Sequence, residues 1–265
     1  MKLAGTLFIS VLLLPFSSYA EMPKADSTPT PKWSSAEELA EQALLGNADA
    51  QFTVGIGYAQ QKDHEQAGDL FRKAAEQGHA DAQYWLGQFL ITGLGMPKDL
   101  EQGVSWTRKA ADQGHADAQF AMGNAFYLGG GVSQDYAQAA DWLRKAAEQG
   151  VDDAQRLLGS MHLLGKGVLQ DYVEASKWLL KAAERGNAKA QAMLSSMYFE
   201  GEGVSKDLVL AYAWMNICAS KLADEKAIGA RDMVSEKLTS AQLAEGQRIS
   251  SKWKPGQRLR REAKQ

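Results

Sequence analysis

The chain has 265 residues, 45% of them hydrophobic, with six prolines, one cysteine and a formal net charge of −3. That length and apolar share allow a sizeable core, and abundant Ala, Leu, Gln and Glu with few β-branched runs favour helix throughout. One cysteine cannot form an internal disulfide, so stability has to come from packing.

In chain order, residues 1–20 read as a signal peptide. Lys2 supplies the positive start, LAGTLFISVLLLP the short apolar stretch, and Ser18-Tyr19-Ala20 small residues at the −3 and −1 cleavage positions. Roughly thirteen apolar residues fall short of the ~20 needed to span a bilayer, so no integral membrane span is expected after cleavage. Position 21 is Glu, not Cys, which argues against a lipoprotein. The expectation is cleavage after Ala20 and a periplasmic or secreted chain. Residues 21–33, with MPKADSTPTPK, read as a disordered linker rich in Pro, Ser and Thr. Over 34–47 the Ser35-Ala-Glu-Glu38 capping box predicts an N-terminal capping helix that ends at Gly46.

From Ala48 the chain repeats itself. RKAAEQGHADAQYWLG at 72–87 returns 36 residues later as RKAADQGHADAQFAMG at 108–123. Five copies span 48–79, 80–115, 116–151, 152–187 and 188–220. An active site needs one constellation of groups, whereas a stacked array needs the same packing surface repeatedly, so repetition points to architecture. The copies carry Ala-x-Ala-Gln, Asp-Asp-Ala-Gln in the fourth, then a Leu-Gly pair or its substitute and an aromatic residue, His162 in the fourth. A glycine loop follows in all but the first copy, where Gln60-Gln-Lys-Asp63 makes a trimmed version of the same turn, and then comes Trp-x-x-Lys-Ala-Ala-Glu-x-Gly or a variant of it.

In the third copy Ala118, Met122 and Phe126 recur on one helical face. Ala139, Trp142 and Ala146 do the same on the next helix. Small residues Gly123, Ala146 and Ala147 should let the axes approach closely while Trp142 fills the space between them. The first glycine of Gly93-Leu-Gly95, Gly129-Gly-Gly131, Gly165-Lys-Gly167 and Gly201-Glu-Gly203 is placed to end a helix in the left-handed conformation. No strand precedes these pairs and no Gly-Lys-Ser/Thr or complete GxGxxG is present, so they read as turns, not phosphate cradles. Two antiparallel helices per ~36 residues make an all-α solenoid.

The segments LGQFLITGLGMPKDLEQGVSWTRKAADQGHADAQ and AMGNAFYLGGGVSQDYAQAADWLRKAAEQG resemble the Sel1-like repeat family, relatives of the tetratricopeptide repeats, and the likeness recurs over 48–220. The resemblance implies a right-handed superhelix of antiparallel helix pairs, no cofactor or metal, and a non-enzymatic scaffold whose first helices line a concave groove. Partners it suggests are envelope assembly factors, a sensor-kinase ectodomain or a host receptor.

The fifth copy departs from the pattern. Ser195 takes the packing glycine's place, and Ile217-Cys218-Ala219 replaces Lys-Ala-Ala. Cys218 stands where other copies have Ala, which reads as core. C-terminal capping helices are expected over 221–253, one from Asp224 to Leu238 and one from the Thr239-Ser-Ala-Gln242 capping box to about Trp253. Residues 254–265 form a basic tail. From Arg248 onward seven basic residues face only Glu262, net +6, whereas 21–247 carry net −10. The tail reads as solvated, with contact to an anionic surface as its other use. Export argues against nucleic acid.

Four histidines, His64, His79, His115 and His162, are the candidates for chemistry. His79 and His115 occupy one position in successive copies, at least a helix spacing of ~8–10 Å apart, too far to share a zinc ion with ~2 Å bonds. They read as turn residues. His162 stands where Phe126 and Tyr198 stand elsewhere and reads as core. A cysteine-rich group within the family is associated with β-lactams. A cell-wall-directed enzyme or muropeptide-binding protein is therefore the competing class. Here the only Ser-x-x-Lys is Ser251-Lys-Trp-Lys254, with no Ser-Asp-Asn or Lys-Thr-Gly partner.

For binding, two columns around the helix glycine change while the framework repeats. Three residues before it stand Phe52, Tyr84, Phe120, Arg156 and Ala192; one after it, Ile56, Gln88, Asn124, Ser160 and Ser196. Aromatic and polar groups along one groove suit an extended peptide. Tyr84, Gln88, Phe120, Asn124, Arg156, Ser160 and Ser196 are the expected partner-binding residues.

Overall fold

The computed structural model describes residues 33–261, and every regular element among them is an α-helix. The expected signal peptide and nearly all of the linker lie outside the described residues. The helices are α1 (Ala36–Leu44), α2 (Ala48–Gln60), α3 (His64–Glu76), α4 (Ala80–Thr92), α5 (Leu100–Asp112), α6 (Ala116–Leu128), α7 (Tyr136–Glu148), α8 (Asp152–Leu164), α9 (Tyr172–Glu184), α10 (Ala188–Glu200), α11 (Leu208–Leu222), α12 (Glu225–Ser235) and α13 (Ser240–Lys252). Consecutive helices pack in antiparallel pairs, which is the α-solenoid that the repeat pattern implies. The described chain divides into two compact units, 33–145 and 146–261, the division falling within α7.

Helix ends follow from side chains that satisfy orphaned backbone groups. Asp63, Asp99, Asp171 and Asp207 cap α3, α5, α9 and α11 by accepting from backbone N–H groups of the first turn. Asp135 does the same for α7. Gly93, Gly129, Gly165 and Gly201 end the first helices at φ of 79°, 77°, 64° and 81°, the left-handed conformation that favours a residue without Cβ. In the trimmed first turn, Lys62 adopts φ 66° instead. The capping box at Thr239 and Gln242 is complete. At α1 it is half made: Ser35 Oγ accepts from the Glu38 N–H at 3.1 Å, but the Glu38 carboxylate turns to the N–H and hydroxyl of Ser34.

Within a pair, close approach is obligatory. A Cβ on Gly123 would lie 2.7 Å from Leu143 Cγ and 3.1 Å from the Leu143 nitrogen, so α6 and α7 could not pack as they do with any larger residue there. Leu143, not Trp142, is the fully buried side chain at this contact. Trp142 stays half-buried, with the Lys145 ammonium 4.1 Å from its ring centre. An indole is too bulky for an interface this tight, so it lies along the rim under a cation. Trp106 and Lys109 (3.7 Å) repeat the arrangement, and Trp178 and Lys181 (4.0 Å) repeat the cation over the ring with Trp178 itself buried.

Between pairs, the glutamine of Ala-x-Ala-Gln reaches back eight residues. Gln51, Gln83, Gln119, Gln155 and Gln191 are buried. Their Nε2 groups donate to the carbonyls of Ala43, Ala75, Ala111, Ala147 and Ala183 at 3.2, 3.1, 3.2, 3.0 and 3.1 Å. In the first unit Gln77 and Gln113 donate in turn to Gln51 Oε1 and Gln83 Oε1, at 2.8 and 2.6 Å.

The last pair is sealed differently. Ser195, buried, donates from Oγ to the Ala211 carbonyl at 2.7 Å, so the hydroxyl that replaces a packing glycine is satisfied by the facing backbone. Cys218 packs with Ala188, Ala192, Met215, Ala227 and Ala230 under α12, and burial pushes its thiol up to about 12. The start of the basic tail is anchored rather than solvated. Leu259 is 8% exposed in the core cluster around Leu179 and Trp214, the Gly256 N–H donates to the Glu184 carbonyl, and Arg261 pairs with Glu245 at 2.9 Å and Asp207 at 3.2 Å.

Leu143→Ala should destabilise by about 2–5 kcal/mol through the cavity it leaves, with Trp142→Ala clearly milder, when both are followed by urea unfolding with unchanged m. Gln83→Leu should cost about 1–2 kcal/mol by the same measurement, because it removes a donor from one buried carbonyl and an acceptor from Gln113.

Candidate partner-binding groove

The N-cap of each first helix decides what happens to the aromatic column. His115 Nδ1 accepts from the Ala118 N–H at 3.1 Å, which fixes the tautomer with the proton on Nε2, and that atom faces Asp81 Oδ1 at 3.2 Å. His79 repeats this with Ala82 at 3.3 Å and Asp49 at 3.4 Å. The faces of these imidazoles lie against the preceding copy's aromatic ring: Phe52 at 4.7 Å from His79 and Tyr84 at 4.8 Å from His115. The turn histidines are therefore caps and spacers.

Tyr84 is only 6% exposed, and its hydroxyl is pushed up in pKa by burial and by Asp117. In the fourth copy Val151 brings no capping side chain. In the fifth, Asn187 caps α10 through Oδ1 and donates from Nδ2 to Asp153 at 3.1 Å. Arg156, 7% exposed, donates from Nε to the same Asp153 oxygen at 3.1 Å. Tyr84 and Arg156 thus serve packing between copies. Phe120 is partly exposed, and the position that supplies a histidine to the earlier rings holds Val151.

The second column behaves otherwise. Gln88 of α4 and Asn124 of α6 meet in one groove of about 340 Å³, within the range of ligand-holding clefts. Ile91, Val104, Met122 and Leu128 give it an apolar floor and flank, Thr107 closes the deep end and Lys98 lies at the rim. Leu100 and Leu128 are exposed at its mouth. Asn124 Oδ1 is closed to solvent and accepts no hydrogen bond from the protein. Ser160 and Ser196 stand partly exposed on α8 and α10 and are not among the residues that line this groove. Sequence columns drawn along the first helices missed its other wall, made by α5 and the loop before it; the apolar Leu100 beside a glycine loop was the available signal.

Other chemistry finds little support in the geometry. Ser251 Oγ donates to its own helix at the Arg248 carbonyl, 3.1 Å away. His162 is buried with neither ring nitrogen paired. Among the described residues no group of three or more His, Cys, Asp or Glu converges as a metal site, and no helix is long and apolar enough to cross a membrane.

A repeated helix pair and a buried glutamine that bolts each pair to the one before it define a helical-repeat scaffold. The chain belongs to the Sel1 repeat family, which matches it over 48–79, 80–115, 116–151, 152–187 and 188–220. Sel1 repeat proteins generally mediate protein–protein interaction, and their scaffold is typically non-catalytic. Among solved structures the chain is similar to a protective antigen present in uropathogenic Escherichia coli strains displaying an SLR fold. The identity is 36% and the TM-score 0.73, over 81% of this chain and 47% of that one. It is also similar to a Sel1 repeat protein from Oxalobacter formigenes, with 35% identity and TM-score 0.66 over 75% and 59%. The chain thus spans about half and three-fifths of these relatives. No curated protein is matched.

The hydrogen bond from His115 holds the Asp81 carboxyl below its ordinary value of 3.8. A depressed folded-state pKa contributes stability above the unfolded value, and that contribution is lost as pH falls through the folded one. Asp81→Asn should therefore lower Tm at neutral pH, and the gap to wild type should close as the pH is taken below about 4, as read by thermal melts across an acid series.

Proposed function

We propose that the chain is an exported, non-catalytic adaptor that holds an extended segment of a protein partner in the groove between α4, α5 and α6. The observation that carries this reading is the meeting of Gln88 and Asn124 over an apolar floor, with an unmet acceptor on Asn124. An extended peptide offers an N–H and a carbonyl at every residue. Two amide side chains can bind that backbone after a small turn of the Asn124 amide, while Ile91 and Val104 take an apolar side chain. Phe120, Ser160 and Ser196 are further candidate contacts; Tyr84 and Arg156, engaged in the scaffold, act by holding the copies in register. Export rests on residues 1–20, and a relative described as a protective antigen is in keeping with it.

Selecting extended peptides on the full chain and titrating the best binder tests this directly. Gln88→Ala with Asn124→Ala should weaken binding at least tenfold, since about 1 kcal/mol is lost per hydrogen bond, whereas Ser220→Ala should not. Equal affinity in wild type and double variant would send the site elsewhere. The enzyme alternative predicts nitrocefin or muropeptide turnover that Ser251→Ala abolishes; the adaptor reading expects none. Mass spectrometry of the exported product should find Glu21 as its first residue.

A further inference from the structure

The end of the chain makes a second concavity. A pocket of about 150 Å³ is lined by Arg248 and Lys252 of α13, by Arg258 and Arg260 of the segment that follows, and by Trp253 and Leu259. None of its lining residues is a carboxylate. Arg248 and Lys252 are four apart and share a helix face, and like charges at that spacing repel. Arg258 and Arg260 flank the buried Leu259, which fixes their backbone beside α13. These residues line a space too small for a drug-sized molecule but suited to one compact group.

The geometry that fixes them is independent of the cations. Trp253 packs edge-on against Trp214 at 5.7 Å and donates from Nε1 to the Gln257 carbonyl at 2.8 Å. Gln257 Oε1 accepts from the Lys254 N–H, Gly256 is tied to Glu184, and Arg261 is tied to Asp207 and Glu245. Burial pushes the Glu184 carboxyl up in pKa against the opposing pull of Arg258 and Arg260, and Glu184 is not part of the lining. The pocket walls are thus a bound strap and a helix, both built before any ligand arrives.

We propose that this pocket binds a phosphate group, the anion whose negative charge and several acceptor oxygens match convergent guanidinium and ammonium donors. The indole of Trp253 and the apolar Ile249 beside it suit the carbon attached to such a phosphate as well as the free ion. Two sources share this chemistry, the headgroup of an anionic phospholipid and a soluble phosphate.

The test uses the full chain against vesicles of phosphatidylcholine alone, vesicles of phosphatidylcholine and phosphatidylglycerol in equal parts, and inorganic phosphate followed by calorimetry. Binding is expected to the mixed vesicles or to phosphate, and to weaken as salt is raised. Lys252→Ala, Arg258→Ala and Arg260→Ala together should weaken it by roughly a hundredfold. Arg258→Lys with Arg260→Lys, which keeps the charges, should retain most of the vesicle binding. Removing the exposed Lys226 and Lys237 by Ala in the same unit should change nothing, and unchanged circular dichroism of each variant confirms the fold. Selective binding of phosphatidylglycerol vesicles assigns the lipid source, and phosphate binding the soluble one. The proposal is overturned if neither probe binds, if the triple variant binds equally well, or if the Lys226 and Lys237 control loses as much as the triple variant.

Discussion

The structure depends on one buried amide. In every copy the glutamine of Ala-x-Ala-Gln stretches from the first turn of one helix to a carbonyl in the last turn of the helix before it. A helix end leaves carbonyls without intrahelical donors, and packing the next pair on top of them shuts out water. A side chain must supply the missing N–H, and Gln has the reach. The bond also fixes the rotation of each helix relative to its predecessor. With that rotation set, Gly123 always meets Leu143 and Ala118 always faces the core, which is why sixteen residues recur almost unchanged.

What the scaffold consumes limits what is left for recognition. An imidazole that caps a helix, faces an aspartate and stacks on an aromatic ring has no valence to spare, and neither has the ring it touches. Tyr84 and Phe52 are variable in identity yet structural in role. The column one residue past the helix glycine has no such duty in the second and third copies, and there Gln88 and Asn124 open onto the groove.

The far end obeys a different balance. Exposed ion pairs such as Arg261 with Glu245 contribute little each, so the strap after α13 is held chiefly by Leu259 and Trp253 entering the core, with the ion pairs setting its direction. Hydrophobic anchoring of a cationic segment ties its backbone to the last helices, unlike a tail that is solvated throughout.

The repeat boundaries, the all-helical class, the left-handed glycine stops, the buried Cys218 and the Thr239 capping box were legible in the sequence, because each depends on neighbours within a few residues or on the period itself. Tertiary structure alone decided that Leu143 and not Trp142 fills the α6–α7 contact, that Tyr84 lies under His115, that the groove takes a wall from α5, and that Leu259 carries the tail back into the core. Those outcomes rest on which of two adjacent apolar side chains fits a space a few ångströms wide, and on residues tens of positions apart meeting once the helices stack. Periodicity names a face, but only packing shows how much of that face remains open.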